Sequence, residues 1–209
     1  MANFFHADSH LGIFVTTVAD VLVINLLWLA GCLPLFTIGT STTAMYQCLM
    51  ERHREKTVNV FQAFSSAYKS NFKRTTPLFL LIVLIGCLLA FDAYLIIYTQ
   101  VGENIFVLLV LLCVLFQVLP ASGYVFPIQA YFECSIGQTL KNAWKMAFVH
   151  FPTSLCVLAL NMLPLALLLF APAFFIKSIM VWILGGFAAI AYLNTILLVR
   201  IFKKYSPNN

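Results

Sequence analysis

Five continuous apolar runs, at about residues 11–36, 77–99, 104–130, 152–176 and 178–200, constrain this chain more than any other feature. Each supplies the ~20 apolar residues a helix needs to cross a bilayer core. The runs are unbroken rather than alternating, and in lipid only helices and closed barrels satisfy every backbone group. The expected fold is all-α: a polytopic transmembrane helix bundle of about five spans, forming a single membrane domain over residues 1–209. Composition agrees, with 62% hydrophobic and 9% charged residues, against roughly one-quarter charged in a soluble domain. Mean hydropathy is +0.97.

The twelve Lys and Arg fix an expected orientation. Arg52, Arg54, Lys56, Lys69, Lys73 and Arg74 lie between the first two runs, Lys141 and Lys145 between the third and fourth, and Arg200, Lys203 and Lys204 after the last. Only Lys177 falls on the opposite side. The positive-inside rule then places the N-terminus outside and the C-terminus in the cytoplasm. The formal charge of +5 belongs to this topology, and no basic tract interleaved with aromatics points to nucleic acid. The lipid bilayer is the first partner. "LAGC", Leu29–Cys32, resembles a lipoprotein cleavage site. The preceding segment has no Lys or Arg, carries Asp20 in its apolar core and is followed by more apolar sequence, so it reads as a retained span.

Chemistry-bearing motifs are sparse. The six cysteines are widely spaced, without CxxC, and read as small buried apolar residues. His6, His10, His53 and His150 form no HExxH. No metal site, cofactor or P-loop is expected, and no nucleophile–base signature marks an enzyme.

Three shorter segments read as cytoplasmic interfacial helices, at about 40–53, 58–73 and 136–150. The first follows a break at Pro34 and Gly39. It is apolar enough to touch the membrane and too short to cross it, lying on the surface or re-entrant. In the second, Val58, Phe61, Phe64, Tyr68 and Phe72 share one helical face, with Lys69, Lys73 and Arg74 towards its end. In the third, Ile136, Leu140, Trp144, Ala147 and Phe151 form a stripe away from Lys141, Asn142 and Lys145. Such basic amphipathic helices lie on the inner leaflet; the other reading is that one docks a partner through Phe61, Phe64, Tyr68, Lys69, Lys73, Arg74, Lys141, Trp144 or Lys145. Pro120, Gly123 and Pro127 predict a kink or break in the third span, and Pro164 and Pro172 disturb the fourth.

Polar residues inside the spans are the candidate functional positions: Asp20, Asn25, Asp92, Asn161 and Asn194. A charged side chain near the bilayer centre costs on the order of 2.5–3.5 kcal/mol on insertion scales. No Lys or Arg lies within a span, so an ion pair inside the chain is not expected. Protonation, water, a cation from elsewhere, or hydrogen bonds from Thr16 and Thr17 to Asp20 remain. The three asparagines read as interhelical glue. The two acids read about equally as structural or functional, and a functional role is open between a partner contact and a cation- or proton-linked step.

The stretches "ADVLVINLLWLAGCLPLFTIGTSTTAMY", "FQAFSSAYKSNFKR", "YVFPIQAYFECSIGQTLKNAWKMAF", "NMLPL" and "IAYLNTILLVRIFKKY" occur in this order. Together they resemble the YesL-like family of bacterial integral membrane proteins, a domain of unknown function. The resemblance implies no site residues. It implies a bacterial cytoplasmic membrane and genes beside carbohydrate-uptake ABC transporters, hence an accessory or regulatory subunit of an oligosaccharide importer whose partners are the permease subunits. The alternative from the residues is a stand-alone or homo-oligomeric small-solute or ion transporter using Asp20 and Asp92.

Overall fold

The computed structural model describes residues 10–55, 58–99 and 105–206. The N-terminal stretch, most of the 55–58 connection and the turn expected around Gln100–Asn104 lie outside these. Among the described residues the chain is helical, without strands. It comprises α1 (His10–Gly31), α2 (Ile38–Arg54), α3 (Val60–Tyr98), α4 (Ile105–Phe132), α5 (Ile136–Val149), α6 (Phe151–Phe170), α7 (Pro172–Lys177), α8 (Ile179–Val181), a π turn (Trp182–Gly186) and α9 (Phe187–Phe202). Five of its helical segments are long and apolar enough to cross a membrane, and the protein is a multi-pass membrane protein.

The first span stops at Gly31, five residues short of the apolar run, because Pro34 cannot continue the helix. The freed carbonyls are satisfied locally. Thr37 Oγ1 donates to the Gly31 and Pro34 carbonyls at 2.7 and 2.6 Å, and Ser41 Oγ donates to the Trp28 carbonyl at 2.8 Å. A Cβ on Gly31 would lie 2.6 Å from Ser41 Oγ, so the glycine lets α1 and α2 close into an antiparallel hairpin.

This hairpin overturns the interfacial reading of 40–53. Helix α2 is enclosed by α1, α3, α4 and α9, and Thr40, Ser41, Thr43, Tyr46, Cys48, Leu49 and Arg52 are all buried. A polar helix too short to span is expensive on a lipid surface, but inside a bundle its hydroxyls meet other polar groups. Apolar side chains accordingly turn outward, as Leu84, Leu88, Phe91, Phe106 and Leu109 do.

The second interfacial helix is not separate either. Val60–Tyr98 is one 39-residue helix with Pro77 inside it, capped by Asn59, whose Oδ1 accepts from the Gln62 N–H at 3.3 Å. At 1.5 Å per residue α3 is roughly 58 Å long, nearly twice a ~30 Å core. Its buried face is Val60, Phe64, Ala67, Asn71, Thr75 and Leu78, rotated from the expected stripe. Phe61 and Phe72 are exposed and Tyr68 is half-buried. The face it uses carries Asn71 and Thr75 among its apolar residues, and these meet α2: Asn71 Nδ2 donates to Gln47 Oε1 at 2.8 Å, and Thr75 Oγ1 donates to Thr40 Oγ1 at 3.3 Å. A Cβ on Gly39 would come within 2.4 Å of Phe79 Cβ, so this contact needs glycine too.

Helix α4 runs through Pro120, Gly123 and Pro127 as one helix, so of the expected kink or break the break does not occur. It ends at Glu133, whose φ of 48° is left-handed. The interruptions fall later, at Ala171–Pro172 between α6 and α7 and at the π turn. Helix α5 matches the third interfacial segment but buries Thr139, Ala143, Met146 and Ala147, leaving Trp144 exposed. Here too a hydroxyl faces inward, Thr139 Oγ1 donating to Gln129 Oε1 of α4 at 2.6 Å. Of the cysteines only Cys48 is buried. Cys87, Cys113 and Cys156 are exposed on apolar helix surfaces, where a small apolar side chain needs no cover.

Candidate functional site: two acids and an amide-lined cavity

Asp20 has a partner from within the chain. Arg52 Nε donates to Asp20 Oδ2 at 2.6 Å, with the arginine side chain 4% and the aspartate side chain 25% exposed. Arg52 Nη2 also donates to Thr16 and Thr17 Oγ1 at 3.2 and 3.0 Å, and Nη1 to the Glu55 carbonyl at 3.1 Å. The threonines thus face the arginine and spend their own protons on the Gly12 and Ile13 carbonyls. The expectation of no internal ion pair failed because Arg52 lies outside every span in sequence, while α2 folds back along α1 and delivers it to the level of Asp20.

Asp92 is placed otherwise. It is exposed on α3 and has no hydrogen bond or ion pair among the described residues. It sits in a groove of about 320 Å³ between α3 and α4 whose other walls include Leu89, Leu95, Ile96, Val110 and Val114. Phe91 beside it is 58% exposed.

Each asparagine bridges helices. Asn25, fully buried, fills the π turn: Nδ2 donates to the Trp182 and Ile183 carbonyls at 3.1 and 2.7 Å, and Oδ1 accepts from the Ala188 N–H at 2.9 Å. A π turn widens the helix and shifts its backbone bonds by one residue, and one amide from α1 joins both sides of it. Asn194 Nδ2 donates to Asn161 Oδ1 at 2.8 Å and to the Tyr46 hydroxyl at 3.3 Å, linking α9, α6 and α2. Asn194 Oδ1 is buried without a partner among the described residues.

Of these groups, Tyr46 and Asn161 border a cavity of about 280 Å³ where α1, α2, α3, α4, α6 and α9 meet, lined among others by Trp28, Thr42, Gly123 and Phe187. Sequence patterning singled out Asn161 and Asn194 but missed Tyr46, Trp28 and Thr42. Trp28 Nε1 donates to Thr42 Oγ1 at 3.1 Å, and nothing in their spacing announces that contact.

The basic candidates lie on α3 and α5. Lys69, Lys73, Lys141 and Lys145 are exposed. Arg74 donates to the Glu133 carbonyl at 3.2 Å and lies 3.5 Å from its carboxylate, joining α3 to the end of α4. Phe64 is core, Tyr68 packs between Phe64 and Phe72, and Trp144 meets Phe148 at a tilt of 54°. No cluster of metal-ligating side chains occurs among the described residues.

No curated protein and no solved structure matches the chain. Residues 21–93, which run from α1 through the buried α2 to just past Asp92, are similar to a family described as "Protein of unknown function, DUF624".

Proposed function

We propose that this protein is an accessory or regulatory subunit of an ABC-type carbohydrate importer in the bacterial cytoplasmic membrane, with its N-terminus outside and its C-terminus in the cytoplasm. The YesL-like resemblance supplies the importer, and the distribution of Lys and Arg supplies the orientation. The observation that carries a subunit role is Asp92. Asp20 is neutralised by Arg52 within the chain, whereas Asp92, without a partner among the described residues, lies in an apolar groove on the outside of the bundle. An acid on a lipid-facing surface is costly, and a permease helix bearing a hydroxyl or basic side chain at that depth would relieve the cost while its apolar residues fill the groove. The proposal assigns no catalytic step to this chain.

The test is a mild-detergent pull-down of the tagged protein from native membranes, with partners quantified by mass spectrometry. Permease and ATPase recovered in fixed ratio, and reduced about tenfold by Asp92→Leu, is the expected outcome. Recovery of the chain alone or only as a homo-oligomer would reject the reading. A stand-alone or homo-oligomeric transporter is the second reading, supported by the central cavity. It would be favoured by solute flux through proteoliposomes of the purified chain that Asp92→Asn abolishes.

A further inference from the structure

The central cavity has more hydrogen-bonding capacity than the protein uses. Asn161 Nδ2 has no partner among the described residues, and the Tyr46 hydroxyl accepts from Asn194 while its own proton has no acceptor there. Pro127 has no N–H to give to the Gly123 carbonyl one turn earlier, and both residues line the cavity. Gly123 also lets α4 approach α6 closely, since a Cβ there would lie 3.0 Å from Val157 Cγ1 and 3.6 Å from Asn161 Nδ2. One guest hydroxyl could accept from Asn161 and donate to the Gly123 carbonyl.

Three features define that guest. No Asp, Glu, Lys, Arg or His lines the cavity, so a charged group would be buried without compensation. Its walls are mainly apolar, with Trp28, Phe126 and Phe187 among them, so a sugar ring would leave most of its hydroxyls unpaired. Finally, the cavity shares Ile82 and Ser122 with an adjoining groove of about 300 Å³ between α3, α4 and α5, whose walls include Val114, Val118, Val125 and Trp144. A polar head in the cavity could therefore continue as a chain along the groove.

We propose that cavity and groove together bind a neutral lipid alcohol of the diacylglycerol type, its free hydroxyl held by Asn161, Tyr46 and the Gly123 carbonyl and one acyl chain lying against Val118 and Trp144. The site stands independently of the importer reading, because Asp92 is not part of it.

The test uses the purified full-length protein in detergent with a diacylglycerol carrying a photoactivatable acyl chain, followed by peptide mapping. Saturable labelling should map to α4 or α5 beside the groove. It should be displaced by unlabelled diacylglycerol, and not by phosphatidic acid of the same chains or by glycerol. Tyr46→Phe should weaken binding about tenfold, the scale of one buried hydrogen bond. Val118→Trp, which fills the groove and leaves the polar cluster untouched, should do the same with an unchanged melting temperature, and Asp92→Asn should have no effect. Equal displacement by phosphatidic acid or glycerol, labelling confined to the groove around Asp92, or undiminished labelling in Val118→Trp would each overturn the assignment.

Discussion

Asp20 and Asp92 are both aspartates in apolar helices, yet their surroundings differ in kind. Around Asp20 the chain has gathered a guanidinium, two threonine hydroxyls and a returning helix. Around Asp92 it offers aliphatic side chains and an open groove. The difference follows from neighbours rather than from the residues themselves: α1 is backed by the polar α2, whereas the groove walls around Asp92 come, among the described residues, from α3 and α4 alone. An acid the fold completes is part of the architecture, and an acid the fold leaves open looks for completion elsewhere.

The largest effect should come from breaking the completed side. Arg52→Ala leaves the Asp20 carboxylate without its cation, and truncating one partner of a buried pair costs about 3 kcal/mol or more. A sharply lowered melting temperature in detergent, partly restored in Asp20→Asn/Arg52→Gln, would establish this. An unchanged melting temperature for Arg52→Ala would show the pair to be ornamental. Next comes Asn25→Leu, which strands the backbone groups of the π turn and should cost about 2 kcal/mol, read by the same melt and by faster amide exchange at Ala188. Thr75→Val, which removes one hydroxyl contact between α3 and α2, should cost only about 0.6 kcal/mol, near the average for interhelical bonds in membranes. The smallest effect belongs to Asp92→Leu. The melting temperature of the isolated chain should move by less than about 0.5 kcal/mol equivalent, while partner recovery falls. A strong destabilisation there would erase the contrast with Asp20.

The spans were legible because lipid imposes a length, and five long apolar runs have few alternatives. What was hidden was the polar interior. Rules that grade a helix by length and hydropathy left α2 on the surface or re-entrant, since "TIGTSTTAMYQCLM" is apolar enough to touch the membrane but too short to span. Its Thr and Ser instead pair with Thr76, Trp28 and the carbonyl of Trp28. The error carried forward. With α2 outside, Arg52 had no route to Asp20, and the face of α3 was chosen by its aromatics rather than by Asn71 and Thr75. Asn25 was recognised as an interhelical residue, but its partners lie 157 to 163 residues away, and no local pattern encodes that distance. The cavity was invisible for the same reason, since its walls come from six helices.

The π turn at Trp182–Gly186 also acts on everything after it. One extra residue in a helix advances the following side chains by about 100° around the axis, so the turn sets the rotational phase of α9. Phe187, Ala191 and Asn194 follow one another at helical spacing and face Trp28, the cavity and Asn161 because of that offset. Asn25, by holding the offset in place from another helix, decides which side of α9 looks inward.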